Sequence, residues 1–175
     1  ITPQQTAAAT GKTLTLSATT GVNNDQGWLT TDVGRIVKFN GGTAKITART
    51  NYTVAVATIV DDFTNTDATA TFQLGSFSDT NGFPSSVSFF EQRLVFAATN
   101  DQPQTIFFSK SGDYENMSAG TNDDDAMIYT IASNQVNAIK AMKATRTLIV
   151  MTTGGEYSVS SGNASALSPT NVSII

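Results

Sequence analysis

The sequence predicts an all-β chain: a small β-sandwich or barrel-like module over residues 1–75, then antiparallel blades of a partial β-propeller over residues 76–175. Three observations carry this. Thr, Ser, Val, Ala, Asn and Gly dominate while runs of helix formers are scarce, a composition that suits pleated, half-buried surfaces. The apolar residues fall in short runs bounded by Gly, Pro, Asn, Asp or Ser, the usual punctuation between strands. The second half also holds one pattern twice. At 175 residues the chain is long enough to bury a real core.

In the first module, Thr13 to Ala18 alternates Leu14, Leu16 and Ala18 against Thr and Ser, as a half-buried strand does. A polar loop from Gly21 to Gly27 leads to Trp28, the single tryptophan, and residues Thr30 to Gly34 form a tight turn. Asn40-Gly41-Gly42 then joins Arg35–Phe39 to Thr43–Arg49 as a hairpin, because Asn and Gly tolerate the positive φ of such turns. Val37 and Phe39 share one face with Ala44, Ile46 and Ala48, while Lys38, Lys45 and Arg49 point to solvent. Thr53 to Val60 and Thr69 to Leu74 complete five short strands.

The second half repeats a unit. Val87–Phe90 leads to Arg93-Leu94-Val95-Phe96, then Thr105–Ser109, then Ser111-Gly112. Val136–Met142 leads to Arg146–Val150, then Gly154-Gly155, Glu156–Ser160 and Ser161-Gly162. Arg93 and Arg146 stand 53 positions apart, close to the roughly 40–50 residues of a propeller blade. The middle strand of each copy is apolar on both faces, as in a sheet stacked between neighbours, so Phe96 is expected to be buried. Two blades do not close a propeller, so the chain reads as a piece of a longer or processed polypeptide that continues outside it. A β-sandwich with a coincidental repeat is the alternative.

Charge and composition exclude several functions. The net charge is −4; five bases and five acids balance in residues 1–75, so residues 76–175 carry the excess acid. That argues against gripping a nucleic-acid backbone through counterion release. No cysteine is present, so no disulfide frame forms. Histidine is absent too, which removes the commonest general base and a common transition-metal ligand. No apolar run approaches the roughly 18 residues of a membrane span, and the N-terminus lacks a signal-peptide pattern.

Candidate chemistry is thin. Asn122 with Asp123, Asp124 and Asp125 offers oxygen ligands, but without the alternating spacing of a calcium loop the run reads as a solvated acidic loop. Glu91, Asp113, Glu115 and Glu156 are the carboxylates from which a glycosidase-type pair would come, yet nothing fixes two of them at a working separation. Gly82-Phe83-Pro84 reads as a turn with Phe83 turned inward. Glu91-Gln92-Arg93 reads as a tight turn with a Glu–Arg pair, and Gly112 to Asn116 as an Asx-type turn followed by an aromatic peg, Tyr114. Asn51, Asn116, Asn163 and Asn171 each head a glycosylation sequon, of a kind that so Ser/Thr-rich a chain supplies by chance. No catalytic, cofactor-binding or metal-binding residue is assigned, and an enzyme is not expected.

The run GFPSSVSFFEQRLVFAATNDQPQTIFFSKSGDYENM, followed by NDDDAMIYTIASNQVNAI, TTGGEYSVSSG and LSPTNV, resembles the tail tubular or nozzle protein of short-tailed (podovirus-type) bacteriophages and related prophages. The upstream TTDVGRIVKFNGGTAKIT is similar to the segment that precedes this block in that family, so the resemblance spans about Trp28 to Val172. It implies a structural component of the virion tail, built from β-propeller and smaller β domains. It further implies a ring of six copies around a channel, contacts with tail adaptor and fibre proteins, assembly in the bacterial host cytoplasm, and phage DNA passing without specific binding. It implies no catalytic residue and no cofactor. Family members are several times longer than this chain.

The acidic balance agrees with that role, because a DNA conduit must not hold phosphates. The competing class is a carbohydrate- or receptor-binding tail module, which an exposed aromatic platform would favour; here the aromatics fall mostly within strands, where they serve a core.

Overall fold

Alternating short strands and Gly/Asn turns do produce an all-β chain. A computed structural model describes residues 1–132, 136–162 and 166–175, and among these there is no α-helix, only a single turn of 3-10 helix at Thr30–Asp32. Ile1–Gly82 and Phe83–Ile175 form two compact units, each with its own hydrophobic core.

The first unit contains β1 (Thr2–Pro3), β2 (Ala9–Thr15), β3 (Ile36–Phe39), β4 (Gly42–Arg49), β5 (Val54–Asp61) and β6 (Gln73–Leu74). They form one antiparallel six-stranded sheet in the order β1-β2-β5-β4-β3-β6, curled as a half-barrel rather than stacked as a two-sheet sandwich. Bulges along β2–β5 and β4–β5 raise the local twist and bend the sheet. The Asn40-Gly41 hairpin forms as its sequence demands, with both residues at positive φ and Phe39 opposite Gly42. Leu14, Val37, Phe39, Ala44, Ile46, Ala55, Ala57 and Ile59 line the inside with Trp28.

Several details depart from the sequence reading. The first main strand ends at Thr15, leaving Ala18 exposed, and the strand expected from Thr69 shrinks to Gln73–Leu74. The bulge between Ile46 and Ala48 throws Ala48 outward. Arg49 does not simply face solvent: its Nε donates to the Trp28 carbonyl at 2.7 Å and its guanidinium lies 4.4 Å from the centre of the Tyr52 ring. The turn after Trp28 hides a polar network. Asp32 is wholly buried, accepting from Arg35 Nη1 (2.9 Å), Asn23 Nδ2 (2.6 Å) and the Leu29 amide (2.8 Å), and Arg35 Nε donates to the Gly75 carbonyl at 2.7 Å. Thr80 donates to Asp32 as well, which draws the chain up to Gly82 into this unit.

The second unit contains two four-stranded antiparallel meanders. The first holds β7 (Ser86–Phe90), β8 (Arg93–Ala97), β9 (Thr105–Phe108) and β10 (Met127–Thr130). The second holds β11 (Ile139–Ala144), β12 (Leu148–Thr152), β13 (Gly155–Ser160) and β14 (Ser173–Ile174). Every consecutive pair within a meander is hydrogen-bonded, and the two meanders are separate sheets. One core joins them: Phe90, Val95, Ala97, Ile106, Phe108 and Met127 pack with Ile139, Met142, Leu148, Val150, Val159 and Leu167. The first strands, β7 and β11, run close to each other.

The period of two decides which side chains enter this core. Val95 is fully buried, whereas Phe96, its neighbour on the other face, is only half-buried, so the expectation of burial for Phe96 is corrected. The repeat is also less literal than it reads. Ala144 pairs with Leu148 across a three-residue turn that holds Arg146, exposed, while Phe90 pairs directly with Arg93, buried. Leu148, not Arg146, occupies the strand position of Arg93.

Removing the wholly buried ring of Phe108 by Phe108→Ala is expected to cost about 3–5 kcal/mol through the cavity it leaves. Phe96→Ala should cost clearly less. Urea unfolding followed by far-UV circular dichroism measures both; equal losses would contradict the assignment of faces.

Candidate functional site

Two of the motifs singled out in the sequence, Glu91-Gln92-Arg93 and the acidic run of Asp123 to Asp125, meet at one buried cation. Arg93 opens β8, and its side chain is 1% exposed. Its Nη1 donates to the carbonyls of Ser109 (2.8 Å), Asp124 (3.3 Å) and Asp125 (2.7 Å), and its Nη2 to those of Asp123 (2.8 Å) and Leu167 (3.3 Å). Five carbonyls from three segments thus converge on one planar fork, a task for which the five fixed donors of arginine suit it and the single ammonium of lysine does not. Burial pushes the guanidinium below its usual pKa, against the pull of Asp124, Glu91 and Asp125 in the other direction; the group remains charged at neutral pH.

The turn before it is strained and held. Glu91 and Gln92 both adopt positive φ (46° and 60°), a conformation that costs roughly 1–2 kcal/mol per non-glycine residue. Glu91 Oε2 accepts the Leu167 amide at 2.6 Å and the Gln92 carbonyl accepts the Gly112 amide at 2.8 Å. The expected Glu91–Arg93 ion pair is therefore replaced by two separate tasks. Glu91 takes the N–H of Leu167, and Arg93 takes its C=O.

The other motifs are joints of the same kind. Ser168-Pro169-Thr170 forms a turn closed by Asn171, whose Oδ1 accepts the Ser168 amide at 2.7 Å, and the Pro169 carbonyl accepts Tyr129 Oη at 2.6 Å. Desolvation raises the pKa of that phenol. The Pro103 carbonyl accepts the Ile139 amide at 2.9 Å, and Gln104 exchanges bonds with Ile131. Thr105 and Thr130 pair by their hydroxyls at 2.8 Å. Asn137 lies against Gly154 so closely that any Cβ there would strike its side-chain amide.

The acidic run is a structural loop. Its three carbonyls face Arg93, Asp125 Oδ2 accepts the backbone and side-chain N–H of Asn122, and Lys110 Nζ lies 3.0 Å from Asp124 and 3.7 Å from Asp125. Lys110 holds the Asp124 carboxyl below its ordinary pKa, and Asp124 holds Lys110 above its own. Among the described residues no three acidic side chains converge as metal ligands. Of the four carboxylates weighed for catalysis, Glu91 holds Leu167, Asp113 and Glu115 sit in the exposed turn after β9, and Glu156 lies on β13 of the other sheet.

Two aromatic assignments change. Phe83 is 59% exposed, not turned inward. Tyr114 does act as a peg, but on another exposed ring: it meets Phe89 edge to face with centroids 5.3 Å apart, and the two are 46% and 59% exposed. Asn51 Oδ1 caps the Thr53 and Val54 amides and Asn116 Oδ1 the Ser118 amide; the Asn163 sequon lies outside the described residues. Sequence reasoning missed Asp32, Arg35 and the role of Leu167, since a buried ion pair and a carbonyl acceptor leave no local pattern.

Arg93→Met is expected to destabilise the protein by about 3–5 kcal/mol, and Arg93→Lys by about 1–3 kcal/mol because carbonyls are left unpaired; urea unfolding measures both, and a neutral Arg93→Lys would remove the fork from the account. The Lys110–Asp124 pair gives a pH dependence with a definite sign. The folded pKa of Asp124 lies below its unfolded value, so the contribution is present above the ordinary carboxylate range and lost as pH falls through the folded value. Carbon-detected NMR titration should find the Asp124 carboxyl below that range in the native chain and back within it in Lys110→Met; unchanged titration would contradict the pairing.

No protein-family model matches the chain, and no curated protein matches it.

Proposed function

We propose that this chain is a non-catalytic structural part of the tail tube or nozzle of a short-tailed phage, forming part of the conduit through which DNA leaves the particle. One observation supports this most: EQR, PQT, VNAI, GGE and SPT, five of the seven motifs that carry the resemblance, act as joints between strands or between the two meanders of residues 83–175. Their chemistry is that of a scaffold, satisfied internally. Two successive four-stranded meanders that share a core, with first strands side by side, fit consecutive propeller blades. The excess of acid fits a wall that does not retain phosphates. The partners are then further copies in a ring, six by the resemblance, with adaptor and fibre proteins beside them. The site of action is the virion tail, after assembly in the bacterial cytoplasm.

A receptor- or carbohydrate-binding tail module is the second reading, favoured by the exposed Phe89–Tyr114 pair. Electron microscopy of phage particles with a tag on this protein separates the two. The conduit reading expects the tag on the tail tube, and particles depleted of the protein that adsorb normally but do not eject DNA. Tag on the fibres, with adsorption lost and ejection of triggered particles unchanged, would establish the second reading instead.

A further inference from the structure

The β7 surface is built like a docking site. Alternation along β7 sends Phe90 into the core shared by the two meanders and turns Val87 and Phe89 the other way, where they are 58% and 59% exposed. Tyr114 stands edge-on to Phe89, so two rings and a valine form one apolar patch. Its rim is acidic. Glu91 follows Phe89 by two residues, Asp113 and Glu115 flank Tyr114, and the Gln92–Gly112 backbone bond holds these two turns together. All three residues are exposed; Glu91 Oε2 accepts the Leu167 amide, so Asp113 and Glu115 are the main charges of the rim. The bases on the same elements are spoken for: Arg93 is buried among carbonyls and Lys110 pairs with Asp124 and Asp125.

We propose that this patch binds a basic protein segment that places an apolar or aromatic side chain on Phe89 and Tyr114 and its Lys or Arg side chains against Glu91, Asp113 and Glu115. Two physical effects select such a partner. Carboxylates around an apolar centre steer and orient a cationic segment, and the aromatic faces themselves attract Lys and Arg. A second copy of the same surface is disfavoured, since acid would face acid and residues 83–175 hold eight acids to five bases. An anionic lipid surface is disfavoured on the same ground. The inference does not rest on the tail reading, because it concerns the chemistry of one strand face.

The test uses the whole chain with a synthetic peptide of alternating Lys and Leu or Phe as probe, the same peptide with Glu for Lys, and a soluble oligosaccharide. NMR should show the cationic peptide shifting the Val87 methyl, Phe89 and Tyr114 signals, more weakly as salt rises, and the acidic peptide leaving them unmoved. Phe89→Ser should weaken the cationic peptide about tenfold or more with an unchanged melting temperature, and Asp113→Asn with Glu115→Gln should weaken it and flatten the salt dependence. Equal shifts from both peptides, no shifts at all, or shifts from the oligosaccharide alone would each overturn the proposal. Failure here leaves the tail reading standing, because that reading is decided by the position of the protein in the particle.

Discussion

The second unit depends on one buried guanidinium. Arg93 takes carbonyls from the end of β9, from the 123–125 loop and from Leu167 before β14, and so fastens the second meander to the first beside the core residues Phe90 and Leu167. A charge in such a place is tolerable only if its donors are satisfied, since desolvating an unpaired cation costs several kcal/mol. The surroundings follow from that demand. The 121–126 loop must turn its carbonyls inward, which leaves its carboxylates outside for Lys110 and Asn122. The Glu91-Gln92 turn must be tight enough to start β8 at Arg93, which forces both residues to positive φ.

The first unit solves a similar problem with an ion pair. Asp32 and Arg35 are both buried and mutually bonded, and Asn23 bridges them, donating to the carboxylate and accepting from the guanidinium. Asn23, Asn24 and Asp25 all adopt positive φ, a local cost that the Asn23 contacts and the Gly21 amide on Asp25 offset. In both units a polar cluster fixes loops that the sheet does not reach, and the strands supply the rigid frame on which it sits.

These clusters also bear on function. A reactive site needs a polar group left with unused bonding capacity toward a substrate. Here Glu91 and Arg93 spend that capacity on neighbouring backbone, whereas Asp113 and Glu115 stay exposed beside the Phe89–Tyr114 pair.

Strand positions, the Asn40-Gly41 hairpin and the all-β class were legible in the sequence because they follow from local rules: side-chain alternation, turn chemistry and β-branched content. The acidic run was legible as a loop for the same reason. Which face of β8 is buried was not, because Val95 and Phe96 are equally apolar and only the position of the second meander chooses between them. Nor was the difference between Arg93 and Arg146 legible, since each opens the same written pattern and a one-residue change in turn length moves one into the core and the other to solvent. The sequence by itself determined the elements and their order. The tertiary structure decided where the charged and aromatic side chains went, because burial and bonding depend on contacts between residues as far apart as Glu91 and Leu167, and no local pattern encodes them.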